Sequence, residues 1–260
     1  MPLPPLYMIH GMWCTGAAWD KYQAFFKERG FQVHAPTLRH HSFQQNDTPD
    51  PALGTTSLLD YASDLEAEIG KLDTPPILIG HSMGGLLAQI LAARGLGQAA
   101  IFLTPAAPAG IVALTPSVVK TFRRILTTWA FWRHPTFPTA EEANYAVYNL
   151  LNDQQRAYEY GRLVHESGRA AAEIAFWLLD GSNAAAVDEK KITCPTLTIA
   201  GTQDHITPAS VVRKVGKKYS KNGTFHEFAD HSHWVLGEPG WEDVATFCAN
   251  WIESTLSARP

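Results

Sequence analysis

Short apolar runs alternate with amphipathic segments along most of the chain. Runs of four to six residues are typical of strands buried inside a parallel sheet. They predict six strands: Leu6–Ile9, Gln32–Ala35, Pro76–Ile79, Ala99–Leu103, Pro195–Ala200 and Gly223–Phe228. Helical spacing of apolar residues predicts intervening helices at Trp19–Arg29, Leu58–Leu72 and Gly85–Ala93. This alternation predicts the α/β class, with a doubly wound, mostly parallel sheet of about six strands.

Residues 105–187 follow a different pattern. Apolar residues recur there at helical spacing, at Val118, Phe122, Ile125 and Trp129. Thr139 and Glu142 have the spacing of a capping box that opens a second helix. A third helix is predicted to include 173–179 and to stop near Gly181. We therefore predict a helical insertion between the fourth and fifth strands.

The composition is that of a folded, soluble enzyme. Of the 260 residues, 45% are hydrophobic and 18% charged, which allows a large core. The net charge of −4 and the lack of a basic block argue against a nucleic-acid partner. Three scattered cysteines, no visible secretory signal and no long apolar stretch predict a cytoplasmic protein without a membrane span. The oligomeric state is left open.

The sequence Gly80-His81-Ser82-Met83-Gly84 lies between a predicted strand and a predicted helix. In that position Ser82 would sit on a sharp turn that exposes its hydroxyl at the carboxyl edge of the sheet. The flanking glycines would let neighbouring backbone pass close by. Ser82 is therefore a candidate nucleophile, and the alternative is a Gly/Ser turn that only ends the strand.

A serine nucleophile needs a base within hydrogen-bond reach and a carboxylate that orients the base. Asp204 follows the fifth predicted strand, and both His231 and His233 follow the sixth. The carboxyl ends of parallel strands meet at one edge, so either histidine could reach Ser82. In an alternative interpretation, metal ligands come from His231, His233, His40, His41 and Asp47. That interpretation leaves Ser82 and Asp204 without a role.

Three motifs resemble those of the α/β-hydrolase family: His10-Gly11 after the first strand, Gly80–Gly85, and Gly201-Thr202-Gln203-Asp204 followed by a histidine. The stretch from His233 to Pro239 is similar to the family's usual ending, with Ser232 in place of a common glycine. This register implies a catalytic triad of Ser82, Asp204 and His233, with His231 as the alternative base. The short segment ahead of Leu6 and the stretch 11–19 resemble the plant methylesterase and hydroxynitrile lyase group.

The resemblance also implies an oxyanion hole formed by the backbone N–H groups of Met83 and Met12. It implies a hydrolase core over 1–104 and 188–260, with 105–187 as a helical cap. His10 is expected to stabilise its turn, and His81 to pack inside the turn that carries Ser82. No cofactor and no metal are expected.

Four tryptophans are candidates for the substrate pocket: Trp13, Trp129, Trp177 and Trp234. The predicted cap is rich in aromatic residues, which together would roof an apolar pocket above Ser82. For each ring alone, packing into the core is the alternative.

These inferences predict a serine hydrolase that cleaves carboxylic esters of apolar small molecules. The same triad could instead catalyse acyl transfer, carbon–carbon bond hydrolysis or lyase chemistry. A receptor that uses the triad as a ligand pocket is the third possibility.

Overall fold

A six-stranded parallel sheet forms the centre of the chain in our computed structural model, which describes residues 3–41 and 44–257. Ser42 and Phe43 lie outside the described residues. The strands are β1 (Leu6–Ile9), β2 (Val33–His34), β3 (Ile77–His81), β4 (Ala99–Leu103), β5 (Pro135–Thr136), β6 (Glu166–Ser167), β7 (Thr196–Gly201) and β8 (Gly223–Phe228). All of them except β5 and β6 belong to the central sheet.

The strand order is β2-β1-β3-β4-β7-β8, and every neighbouring pair is parallel. This confirms the predicted α/β class and the sheet of six strands. The order reverses at β1, which lies between β2 and β3. Loops that leave the carboxyl ends of β1 and β3 therefore diverge and open a crevice, the usual place for a ligand in such sheets.

Helices cover both faces of the sheet. In chain order they are α1 (Asp20–Glu28), α2 (Leu58–Ile69), α3 (Met83–Ala93), α4 (Pro116–Thr127), α5 (Ala140–Ala146), α6 (Asp153–Tyr160), α7 (Gly168–Ala175), α8 (Ala209–Lys218) and α9 (Trp241–Ser257). One apolar cluster joins α1 and α9 to the sheet, and a second joins α2, α3 and α8 to its other face. No helix within the described ranges is both long and apolar enough to cross a bilayer.

Local sequence signals set several helix ends. The Ser57 hydroxyl caps α2 in a capping box with Asp60, and the helix begins at Leu58 as predicted. The helix ends at Ile69, three residues before the predicted end, with Gly70 as its C-cap. Gly30 follows α1 with a φ of 83°, a conformation that glycine adopts without strain.

Between β4 and β7 the chain forms α4 to α7 and the antiparallel pair β5–β6; we call 105–187 the inserted segment. The capping box at Thr139 and Glu142 opens α5 as predicted. The pair β5–β6 was not predicted, because strands of two residues carry no periodic signal. The helix expected over 173–179 is instead α7 followed by a short 3-10 helix at Trp177–Leu179.

Two buried carboxylates hold the inserted segment against α2 and the loop that carries His41. Glu166 accepts hydrogen bonds from the Tyr61 hydroxyl at 2.7 Å and from His41 Nε2 at 3.1 Å. Glu173 accepts the Ser57 hydroxyl and the Leu58 amide at the N-terminus of α2. The inserted segment is therefore held by buried polar contacts as well as by apolar packing.

The pair of Glu166 and His41 is ionic. His41 Nδ1 lies 3.1 Å from the Arg39 carbonyl oxygen, which only accepts, and Nε2 faces a Glu166 oxygen that only accepts when it is ionised. Burial lowers the pKa of His41, but the Glu166 charge and hydrogen bonds outweigh burial and leave it raised. Burial raises the pKa of Glu166, but the His41 charge and the hydrogen bonds outweigh burial and leave it lowered.

We expect Glu166→Gln to lower the free energy of unfolding by about 3–5 kcal/mol, because it leaves a buried charge without its partner. Ionised Glu166 contributes fully to the free energy of unfolding above the pKa of glutamate in the unfolded chain, near 4.3. Protonated His41 contributes fully below the pKa of histidine in the unfolded chain, near 6.5. The loss should therefore be largest between about pH 4.5 and 6.5 and shrink as the pH rises through the raised pKa of His41. Urea unfolding of wild type and variant at pH 5.5 and pH 9 measures this loss in the free energy of unfolding.

Glu66→Gln is the matched control, because Glu66 pairs with Arg94 at the surface with 45% of its side chain exposed. Loss of the Glu66–Arg94 ion pair should lower the free energy of unfolding by less than about 1 kcal/mol. Equal effects of the two substitutions, or a Glu166→Gln effect that does not change with pH, would contradict the ionic assignment.

Candidate active site

Ser82 forms the turn between β3 and α3 in a backbone conformation that non-glycine residues avoid. Its φ is 55° and its ψ is −120°. The Ser82 amide donates to the Leu103 carbonyl at 3.1 Å, and the Ser82 carbonyl accepts from the amides of Gly85 and Ala106 at 2.9 Å each. The neighbouring strand β4 and the loop after it thus hold the strained turn in place.

Close backbone approach explains the two glycines that flank Ser82. A Cβ atom on Gly84 would collide with the carbonyl oxygen of Ile9 in β1, and one on Gly80 would collide with the carbonyl oxygen of Gly84. The first turn of α3 can therefore lie directly against the end of β1. This packing brings the turn that carries Ser82 next to the loop after β1.

Asp204 lies in the loop after β7, where its carboxylate is fully buried. Oδ1 accepts from the amides of Ile206 and Thr207 at 2.7 and 2.8 Å, and Oδ2 lies 2.8 Å from His233 Nδ1. Burial raises the pKa of Asp204, but the charge and hydrogen bond of His233, with the bonds from Thr207, outweigh burial and leave it lowered. Asp204 is therefore a carboxylate that holds one nitrogen of the His233 ring.

The loop after β8 carries His233 and is fixed by buried hydrogen bonds. The His233 carbonyl accepts from His81 Nε2 at 2.8 Å and from the Thr104 hydroxyl at 3.3 Å. Glu238 accepts both the amide and the hydroxyl of Ser232, and burial raises the pKa of Glu238. The serine that replaces the family's common glycine thus has a buried partner.

His231, the alternative base, takes a different position. Its Nε2 lies 3.1 Å from the Gly240 carbonyl oxygen, and its ring lies beside Phe228. The ring that contacts Asp204 is His233.

Ser82 and His233 line the same small cavity, of about 20 Å³, at the carboxyl edge of the sheet. Trp13 and Trp234 line this cavity as well. Among the described residues, the backbone amides of Met12 and Met83 donate to no other group. Met83 is the first residue of α3, so its amide is one of those that a helix leaves free.

A larger cavity, of about 370 Å³, extends from Ser82 between α4 and α7. Apart from Ser82 and Thr207, its lining consists of apolar residues, Trp177 among them. Trp129 departs from the expectation that it lines the pocket: it is 87% exposed and contacts Trp132. The reason is that α4 ends at Thr127, so Trp129 no longer follows the helical spacing that aligns Val118 with Ile125.

Two residues that position this site, Thr207 and Glu238, have no role predicted from the sequence. The Thr207 hydroxyl lies 2.8 Å from Asp204 Oδ2 and 3.3 Å from His233 Nδ1. Glu238 holds the loop that carries His233 through Ser232. Two features of the sequence could have indicated these roles. A threonine three residues after Asp204 is placed so that its amide can donate to the carboxylate, and a Glu-Pro sequence follows His233.

The other polar residues near Ser82 make structural contacts. His10 donates from Nδ1 to the Gly11 carbonyl and accepts the Leu38 amide at Nε2. Burial, followed by the neighbouring His41 charge, lowers the pKa of His10 to about 3, and burial with the His233 charge lowers that of His81 to about 3. Both are neutral imidazoles at pH 7. Burial raises the pKa of the Cys14 thiol to about 12, so it is not a thiolate nucleophile at that pH.

The histidines that the sequence offered as alternative metal ligands bond to different partners. His40 bonds to Asp50 and His41 to Glu166. Across 3–41 and 44–257, no three histidine, cysteine or acidic side chains come together in a way that could hold a metal ion.

The curated relatives of this chain include a chloroperoxidase, methylesterases and a pyrethroid hydrolase. A non-heme chloroperoxidase from Burkholderia pyrrocinia is 28% identical over 253 residues, covering 89% of this chain and 86% of the relative. A pyrethroid hydrolase from Sphingobium wenxiniae is 32% identical over 95 residues, covering 35% of this chain and 31% of the relative. The structure of a methylesterase from Arabidopsis superposes with a TM-score of 0.70 at 12% identity, covering 96% of this chain and 99% of the other.

The methylesterase comparison concerns the fold alone, because so little of its sequence is shared. A broader match comes from the sequence model of the alpha/beta hydrolase family, which aligns with residues 6–246. That range contains every strand of the central sheet together with Ser82, Asp204 and His233. The chain belongs to the alpha/beta hydrolase family.

Proposed function

We propose that this protein is a serine hydrolase that cleaves carboxylic esters of apolar small molecules through an acyl-enzyme on Ser82. The observation that carries the proposal is the hydrogen bond of 2.8 Å between His233 Nδ1 and buried Asp204, with His233 and Ser82 on one cavity. A hydroxyl, an imidazole and a carboxylate in this order are the groups that acyl transfer to serine requires.

In the proposed reaction, His233 Nε2 takes the proton of the Ser82 hydroxyl as Oγ attacks the ester carbonyl. Asp204 keeps the proton of the neutral ring on Nδ1 and stabilises the imidazolium that forms. The imidazolium then gives its proton to the leaving alcohol. Water, activated by the same ring, hydrolyses the acyl-enzyme and restores Ser82. The scheme uses no cofactor.

The oxyanion of the tetrahedral intermediate would be bound by the backbone amides of Met12 and Met83. The free state of both amides and their positions beside Ser82 support this assignment. One such donor typically contributes about 3–4 kcal/mol to lowering the barrier. His10 would support this hole indirectly, because its bonds to Gly11 and Leu38 fix the loop that carries Met12.

The apolar class of substrate is supported by the cavity between α4 and α7. Its volume of about 370 Å³ lies in the usual range for small-molecule sites, about 300–1,000 Å³. A charged acyl group would lose its hydration there without gaining a charged partner, since the polar side-chain groups of the lining are the hydroxyls of Ser82 and Thr207 and the indole N–H of Trp177. We infer that the acyl chain occupies this cavity.

Ester turnover tests the proposal. We expect hydrolysis of p-nitrophenyl esters, with kcat/KM higher for butanoyl and hexanoyl than for acetyl, and low activity on a succinyl monoester. Ser82→Ala should reduce kcat by about 10⁴-fold or more, because the nucleophile is lost. Ser63→Ala is the control, since Ser63 lies on the outer face of α2 and bonds only to the Leu59 carbonyl. Undiminished turnover in Ser82→Ala would exclude the proposal.

Asp204→Asn tests the role of the carboxylate. The change preserves shape but removes the acceptor that fixes the His233 tautomer, so kcat should fall by about 10⁴-fold near pH 7. The pKa of Asp204 is lowered from the ordinary value of an aspartate, which is about 4. The wild-type carboxylate therefore stays ionised at least down to that pH. Asp230→Asn, an exposed aspartate in the same region, should leave kcat unchanged. Equal rates for the two variants would remove Asp204 from the mechanism.

A further inference from the structure

Exposed apolar side chains are concentrated around the mouth of the Ser82 cavity. Of the ten large apolar residues that are exposed in the described chain, nine lie in the inserted segment. Five of these line the cavity at its mouth: Val112, Leu114, Phe176, Leu178 and Leu179. Leu178 and Leu179 are 76% and 84% exposed. Isolated exposed apolar residues need no explanation, but a connected set of them marks an interaction site.

Two tryptophans extend this set beyond the cavity. Trp132 lines an adjoining groove together with Phe176 and Leu179, and the Trp129 ring lies 6.0 Å from the Trp132 ring. We call these seven residues, the five at the mouth with Trp129 and Trp132, the apolar rim. The rim is continuous from the outer groove to the cavity that reaches Ser82.

One of the two stretches that carry the apolar rim, residues 105–140, is positively charged, although the whole protein has a net charge of −4. Residues 105–140 contain one lysine, three arginines and no acidic side chain. Arg124 pairs with Glu142 and Lys120 lies over the Tyr145 ring, while Arg123 and Arg133 form no ion pair within the described part of the chain. Arg133 lines the same groove as Trp132. An exposed apolar surface with one unpaired arginine in its groove, Arg133, and another exposed on α4, Arg123, complements an anionic lipid interface.

The two acidic side chains of that groove balance its two arginines, so the excess of positive charge is confined to residues 105–140. Glu173 pairs with Arg169 and with the start of α2. Asp180 accepts the amides of Ser182 and Ala184.

We propose that the apolar rim docks on an anionic lipid surface. Trp129, Trp132 and the leucines enter the interfacial region, and Arg123 and Arg133 contact lipid phosphates. Docked in this way, the cavity opens directly into an apolar phase, so that an acyl chain can pass to Ser82 without crossing water. The docking goes beyond ester hydrolysis, and its test measures binding rather than turnover, so that failure of one leaves the other intact.

The experiment is sedimentation of the full chain with sucrose-loaded vesicles of phosphatidylcholine, alone or mixed with phosphatidylglycerol. We expect binding to the mixed vesicles, a blue shift of tryptophan emission, and much weaker binding to phosphatidylcholine alone. The double variant R123Q/R133Q should lose about 25-fold in affinity for the mixed vesicles, about fivefold for each arginine. The double variant W129Q/W132Q should lose about tenfold or more, because it removes two buried rings from the interface.

Tyr158→Gln is the matched control, since Tyr158 is an exposed aromatic residue of the inserted segment outside the apolar rim. It should bind like wild type. Circular dichroism melting shows whether each variant is folded. The proposal is overturned if wild type binds neither kind of vesicle, or if W129Q/W132Q binds as well as wild type. It is also overturned if sedimentation shows a lipid-free dimer that W129Q/W132Q converts to monomer, because a second copy of the chain would then cover the rim.

Discussion

The strained backbone at Ser82 is the constraint on which the rest of the site depends. A φ of 55° at a serine costs of order 1–3 kcal/mol and persists only where the surroundings determine it. Here the surroundings are the hydrogen bonds to β4 and the close contact of α3 with the end of β1, which glycine at 80 and 84 permits. The same contact brings the loop of Met12 beside the first turn of α3. One tight turn thereby sets the place of the serine and of both free amides.

Buried polar pairs extend this order outward from the turn. Asp204 and Glu238 hold the two sides of the His233 loop, and His81 and Thr104 hold its backbone. Glu166 and Glu173 then tie the inserted segment to α2 and to the loop of His41. The segments that form the walls of the apolar cavity are therefore held in position by ionic and hydrogen-bonded contacts outside the cavity. This separation leaves the cavity lining free to be apolar.

Much of the fold could be predicted because its signals are local. The buried strands are short apolar runs, and the capping box at Thr139 marks the start of α5. The contact between Asp204 and His233 follows from two strand ends that meet at one edge of a parallel sheet. The roles of Thr207 and Glu238 depend on loop geometry, which has no periodic signature. The position of Trp129 depends on where α4 ends, and the Glu166–His41 pair joins residues 125 positions apart.

Covalent labelling with a fluorophosphonate probe tests the central claim most directly, because it reports activation of the hydroxyl at Ser82 without any assumption about the substrate. Mass spectrometry of the digested protein should find one adduct, on the peptide that contains Ser82, and labelling should slow strongly in Asp204→Asn. A folded wild-type protein that resists the probe, or an adduct that persists in Ser82→Ala, would contradict the account.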